Sequence, residues 1–199
     1  DQDDQNYNGL FNLSGQTNAG SIIIRNVNVI CDRIFDGGLV KGKSSNFTIE
    51  KCSCTVTDQG VGLVTDQAGG LIGSGCSFFV VKSSYYHGNL RGSLQGGIGG
   101  SSVSNGQISN CYVQGHILIL DINDGGTGLI PDNSGGITGS ETGIDGTINI
   151  HDCYFLGSIH GNNCGGICAS CASSTNINHC YSHMITVSGD NCGGLVGSL

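Results

Sequence analysis

The chain has 199 residues, among them 36 glycines and 11 cysteines, with one proline, no tryptophan and only 11% charged residues. Its formal charge of −8 speaks against a nucleic acid or an anionic membrane as partner, and no run reaches the roughly 20 apolar residues of a membrane span. Ile, Val, Ser, Thr, Asn and Gly dominate, a strand-and-turn alphabet, and no apolar stripe keeps helical spacing over three turns.

Residues 1–20 are polar and acidic at the tip, opening Asp-Gln-Asp-Asp without Met or a signal-like apolar segment, as a processed product or a fragment would. Within them Asn8-Gly9-Leu10-Phe11-Asn12-Leu13 reads as a worn copy of a segment that follows six times. This predicts an N-terminal arm and a partial first coil over 1–20. Residues 21–29 (SIIIRNVNV) are β-branched and predict a strand.

The segment then appears in full at Gly37-Gly38-Leu39, Gly69-Gly70-Leu71, Gly96-Gly97-Ile98, Gly135-Gly136-Ile137, Gly165-Gly166-Ile167 and Gly193-Gly194-Leu195, with successive copies 32, 27, 39, 30 and 28 residues apart. A second segment confirms the register: Asn110-Cys111-Tyr112-Val113, Asp152-Cys153-Tyr154-Phe155 and His179-Cys180-Tyr181-Ser182, with Cys52, Ser84 and Val27 in the cysteine column of degenerate copies. From the first Gly to the next cysteine-column residue is 15 residues in four of five cases and 18 in the fifth, while the return interval varies from 10 to 24. One half of each unit therefore has a set length and the other carries the insertions, at 118–134 above all, with a shorter one at 140–147.

Units of this period cannot bury their own faces and must stack on their neighbours. The expected fold is all-β, a parallel β-solenoid (β-helix) of about six coils with Gly-Gly corners, forming one domain over 21–199 with an inserted loop at 118–134. Residues two apart line one strand face, so Cys111, Val113, Gly115 and Ile117, with Cys153, Phe155, Gly157 and Ile159, are assigned to the interior. The Leu or Ile after each Gly pair forms a second interior column.

The GGLVGS, GGLIGS and GGITGS segments resemble the GLUG motif of large secreted and cell-surface repeat proteins, and the Asn-Cys-Tyr-Val strand is similar to the one that commonly precedes it. The likeness covers roughly residues 20–199. It implies architecture and an extracellular or cell-surface setting, and brings no catalytic residue with it.

Eleven cysteines also point to an oxidising compartment. Cys164 and Cys192 each precede a Gly pair in consecutive units and are candidates for a disulfide, as are Cys153 and Cys180 in the cysteine column; buried free thiols acting as small apolar residues are the alternative. Cys168 and Cys171 form a CxxC without the βαβ context of a redox motif. His151 and His179 fall one residue out of register, as surface residues would. Sequons place glycosylation candidates at Asn12 and Asn46. Asp121, Asn123, Asp124 and Asp132 are weak Ca²⁺ candidates lacking the glycine and glutamate of an EF-type loop. No metal or other cofactor is otherwise expected.

Paired carboxylates in a shared column are absent, so a polysaccharide-active β-helix enzyme ranks third, behind a carbohydrate- or receptor-binding adhesin fragment. The leading expectation is a non-enzymatic protomer of an extracellular fibre, possessing glycans and assembling with itself head to tail. Asn8, Gly9, Leu10, Phe11 and Leu13 at one end would meet Leu195 and Val196 at the other. A longer array, in which a further unit follows Leu199, is the competing expectation.

Overall fold

The computed structural model describes residues 9–14, 22–34, 36–57, 67–117 and 132–198. Among them every regular element is a β-strand, and every strand pairing is parallel. One sheet contains, in spatial order, β1 (Ile22–Arg25), β3 (Ser45–Glu50), β5 (Ser77–Lys82), β7 (Ser104–Ser109), β9 (Ile148–His151) and β12 (Thr175–Asn178). The second contains β2 (Asn28–Cys31), β4 (Ser53–Val56), β6 (Tyr85–His87), β8 (Tyr112–Gln114), β10 (Tyr154–His160) and β13 (Tyr181–Ser188). A third ladder runs through single bridges from Phe11 to Val40, Ile72, Gly99, Thr138 and Cys168, where β11 (Cys168–Ser170) pairs with β14 (Val196–Ser198). Chain order alternates between the first two sheets, so consecutive repeats lie one above another, the arrangement of a parallel β-solenoid.

In-register parallel pairing sets each side chain about 4.8 Å from its counterpart one repeat away. Phe47 pairs with Phe79 and Ile49 with Val81, all four buried, and the two phenyl rings stack at 5.8 Å. At the next level the counterpart of Phe79 is Gly106, where a Cβ would press into the Phe79 ring. The interior assigned from the sequence is interior: Cys111, Val113, Ile117, Cys153, Phe155 and Ile159 are all buried, as are Leu39, Leu71, Ile98, Ile137 and Ile167.

The run over 21–29 differs from the single strand expected. It is two strands, β1 and β2, with Asn26 between them at φ 56. The same break recurs at Lys51, Ser83, Asn110, Asp152 and His179, each left-handed and each one residue before the cysteine column. Further left-handed columns run through Lys43, Gly75, Ser102 and Glu141, and through Gln67, Leu94, Asn133, Asn163 and Asn191. Asn and Asp adopt this conformation at the lowest cost after Gly, and stacking repeats the conformation level after level.

None of the paired glycines is left-handed. Their constraint is close approach. A Cβ on Gly70 would collide with the Gly97 carbonyl and the buried Tyr86 ring, and one on Gly136 with the Gly166 carbonyl and the Phe155 ring. At Gly194 the nearest atom is Met184 Cε at 3.7 Å, an ordinary contact. The chain thus contains its own control. We expect Gly70→Ala or Gly136→Ala to cost about 3 kcal/mol or more, since no rotamer change clears a backbone carbonyl, whereas Gly194→Ala should stay within about 1 kcal/mol of wild type. Urea unfolding of the three variants checks this, and equal losses at positions 70 and 194 would refute the close-approach account.

Candidate functional site

The largest departure from column regularity lies on the face made by β12, β13 and the Gly193–Ser198 segment. Leu195 is 43% exposed, although its counterparts Leu39, Leu71, Ile98, Ile137 and Ile167 are all at 0%. Val187 is 47% exposed, while Ile159, its register partner, is at 0%. Ile177, Cys180, Met184 and Cys192 are only partly buried against the core. These side chains belong to interior columns, and among the described residues no level lies above them. Of the predicted assembly residues, Leu195 and Val196 are both here, with Val196 paired to Cys168.

The opposite end is covered in part. Phe11 bridges Val40: its N–H donates to the Leu39 carbonyl at 2.8 Å, and its carbonyl accepts from Lys41 N–H at 2.9 Å. Leu13 is buried, and its N–H donates to Ser44 Oγ at 3.2 Å. Gly9 sits left-handed at φ 99, and Leu10, in register with Leu39, is 52% exposed. Asn8 lies outside the described residues. This segment is therefore spent on its own chain, and only its outer edge is open to another.

Seven cysteines, at 52, 76, 111, 153, 164, 180 and 192, directly follow a left-handed residue. The thiols of Cys52, Cys111, Cys153 and Cys180 lie 3.2–3.3 Å from the carbonyl two residues back. They also reach carbonyls one level below, in Ile24, Val81, Ile108 and Ile150. Ser84 makes the first of these contacts with its hydroxyl, to the Lys82 carbonyl at 2.8 Å, which explains why Ser substitutes for Cys in a worn copy. Cys153 N–H donates to Cys180 Sγ at 3.4 Å, so that predicted pair is adjacent. Cys164 Sγ reaches the Asn162 carbonyl at 3.1 Å and Cys192 Sγ the Gly161 carbonyl at 2.9 Å. All eleven cysteines stand as free thiols in the structure. The seven that follow a left-handed residue share one role, contact with turn carbonyls that the ladders leave over.

The CxxC thiols hydrogen-bond each other; the bond to Cys168, then burial, push the Cys171 thiol up. His151 binds Asp152 at 2.9 Å and Gln107 at 2.7 Å, and His179 approaches the same Asp152 at 3.6 Å. Asp132 Oδ1 accepts from Asn163 Nδ2 at 2.9 Å, while Asp121, Asn123 and Asp124 lie outside the described residues. Among the described residues no three His, Cys, Asp or Glu side chains converge as a metal site, and no helix is long and apolar enough to cross a membrane. Asn12 and Asn46 are both exposed; Asn12 Oδ1 accepts from Ser14 N–H at 3.1 Å and Ser14 Oγ at 2.6 Å.

Two features escaped the sequence reading. Asn precedes Cys at 110, 163 and 191, a dipeptide that signals a left-handed turn closed by a thiol. On the outer face of the second sheet Tyr85, Tyr112, Tyr154 and Tyr181 stack with centroids 5.9, 6.0 and 4.4 Å apart. Their signal was the Tyr that follows the last four column residues. The inner rings are flanked by their neighbours, and the end rings Tyr85 and Tyr181 are the exposed ones, at 42% and 61%.

Burial pushes the Cys76 and Cys164 thiols up to about 12 from an ordinary 9.0. The folded chain thus holds these protons more tightly than the unfolded chain, whose thiols ionise near 9.0. Stability from them is complete below that pH and is lost as pH rises through the folded value. Under reducing conditions the melting temperature should be flat up to about pH 9 and fall between pH 9 and 12, with a shallower fall in Cys76→Ala. A slope indifferent to that substitution would refute the assignment.

No protein-family model, curated protein or solved structure matches this chain.

Proposed function

We propose that the chain is a structural protomer of an extracellular fibre or surface filament, assembling head to tail with copies of itself. The observation that supports it is the open column end, where Leu195 is 43% exposed against 0% for Leu39, Leu71, Ile98, Ile137 and Ile167, while Leu10 at the other end of the column is 52% exposed. Apolar columns open to water, with unpaired strand edges beside them, call for another parallel level. A second copy supplies one if the outer edge of its Gly9–Leu13 segment meets Gly193–Ser198. The two surfaces differ, so the contact is heterologous and does not close on itself.

In this reading each Gly pair marks one of about six coils, with the pair at a corner. The likeness to GLUG repeats and the eleven cysteines support a secreted, glycan-bearing setting. Catalysis has no part in it.

Electron microscopy of the purified chain should show filaments. Leu195→Lys combined with Val187→Lys should leave monomers, because two ammonium groups cannot be buried in the next level's core. Deletion of residues 1–13 should do the same. Filaments unaltered by either change would overturn the assembly, and a monomeric wild type would favour a longer array.

In secreted material we also expect a Cys164–Cys192 disulfide, since in-register neighbours stand within bridging distance. Peptide mapping without reduction should recover the link. Both cysteines found alkylated as free thiols would remove it.

A further inference from the structure

Phe78 is unlike the other phenylalanines of the core. Phe47, Phe79 and Phe155 are at most 2% exposed, whereas Phe78 is 61% exposed. It is also left-handed, at φ 51, a conformation that costs a bulky residue of order 1–3 kcal/mol. An exposed ring alone is ordinary. A strained backbone that presents the ring to water, with no packing in return, asks for something to lie on it.

Its neighbours in the column say what. Ser45 pairs with Ser77 and Phe47 with Phe79, so Asn46 holds the same position one level below Phe78. Asn105 holds it one level above. Both are left-handed, at φ 58 and 49. Asn105 is engaged, its Nδ2 donating to the Asp145 carbonyl at 3.1 Å. Asn46 is exposed, and its Nδ2 has only a 3.4 Å contact with adjacent Ser45 Oγ. Asn46-Phe47-Thr48 is a glycosylation sequon. Beyond Phe78 a shallow, open groove of about 400 Å3 is lined by Phe79, Val80, Asn105, Gln107, Thr147 and Asn149, its amides and hydroxyl suited to sugar hydroxyls and its apolar members to a sugar's C–H face.

We propose that Asn46 carries an N-linked glycan whose first sugar stacks on the Phe78 ring and whose continuation follows this groove along the solenoid axis. The proposal rests on the secreted reading above. The donor is a lipid-pyrophosphate-linked oligosaccharide. Asn46 Nδ2 forms the new bond to sugar C1, the bond from C1 to the pyrophosphate oxygen breaks, and the amide proton leaves with the lipid pyrophosphate as the acid–base balance of the transfer requires. The C–H face of a pyranose then meets the negative face of the phenyl ring, while the left-handed backbone turns that ring outward beside the linkage.

The test uses the full chain secreted from cultured eukaryotic cells. Glycopeptide mass spectrometry should find Asn46 occupied. An endoglycosidase that leaves one sugar on Asn46 should preserve a melting temperature about 2–4 °C above that of Thr48→Ala, which is never glycosylated there. In Phe78→Asn, which suits the left-handed backbone without offering a ring, that increment should vanish although occupancy persists. Proton spectra of the trimmed wild type should show ring-current shifts on the first sugar, absent in Phe78→Asn. An unoccupied Asn46, or an increment and sugar shifts indifferent to Phe78→Asn, would overturn the proposal. Filament imaging of the same samples separates the two readings: filaments with an unoccupied Asn46 count against this inference alone, and absent filaments with an intact stacking effect count against the assembly alone.

Discussion

In-register parallel pairing is the interaction on which everything else depends. At about 4.8 Å between levels, a residue's principal neighbour is its own counterpart one repeat away. A side chain is therefore acceptable only if it tolerates a copy, or a complement, directly above and below. Phe47 over Phe79 is a copy; Phe79 beneath Gly106 is a complement. The second glycine of every pair but the last belongs to the same logic. It stands where a Cβ would meet both a carbonyl of the next level and a side chain of the facing sheet, as at Gly70 and Tyr86.

This constraint explains the unequal intervals. Between a Gly pair and the next cysteine-column residue the chain passes through the third ladder, a left-handed turn, a strand of the first sheet and a second left-handed turn. Nothing there is slack. The one longer case, Gly135 to Cys153 at 18 residues, keeps Thr142 buried and paired with Cys171 and turns Ile144–Thr147 outward, with Ile144 56% exposed. The return interval is stacked where Leu90, Ile117 and Ile159 bridge and again at the left-handed column through Leu94, Asn133 and Asn163, and between those two points the chain is longest from Ile117 to Asn133.

Parallel pairing and the interior columns were legible because they repeat at set spacing and are apolar or small. The turns were not, because their determinant is a backbone angle that Lys51, Ser83, Asn110, Asp152 and His179 share without sharing chemistry. Only the Asn-Cys dipeptides betray it. The carbonyl contacts of the turn cysteines were hidden for the same reason, and Ser84 makes the same contact with a hydroxyl. The site was half legible. Leu195 and Val196 carry the repeat consensus and were named on that ground, but that Leu13 and Phe11 cover their own chain depends on which level they reach, and a worn half-unit does not say. Phe78 was invisible, since a phenylalanine in a strand of apolar neighbours reads as core until its backbone angle turns it out.

What an end of this molecule needs is shown by the end that has it. Leu39 is at 0% exposure because Phe11 continues its ladder in parallel and Leu13 closes over the core. That cover is short, a few residues with one bridge and three hydrogen bonds of 2.8–3.2 Å, yet it suffices because it obeys the column. Leu195 stands in the same column with nothing on it. A partner able to seal it must bring an extended segment in parallel, an apolar side chain at the Leu13 position and no charge between. Few surfaces of an unrelated protein meet those terms. A further level of the same repeat meets them by construction, and the outer edge of Gly9–Leu13 in a second copy is the nearest thing to one that this chain can offer itself.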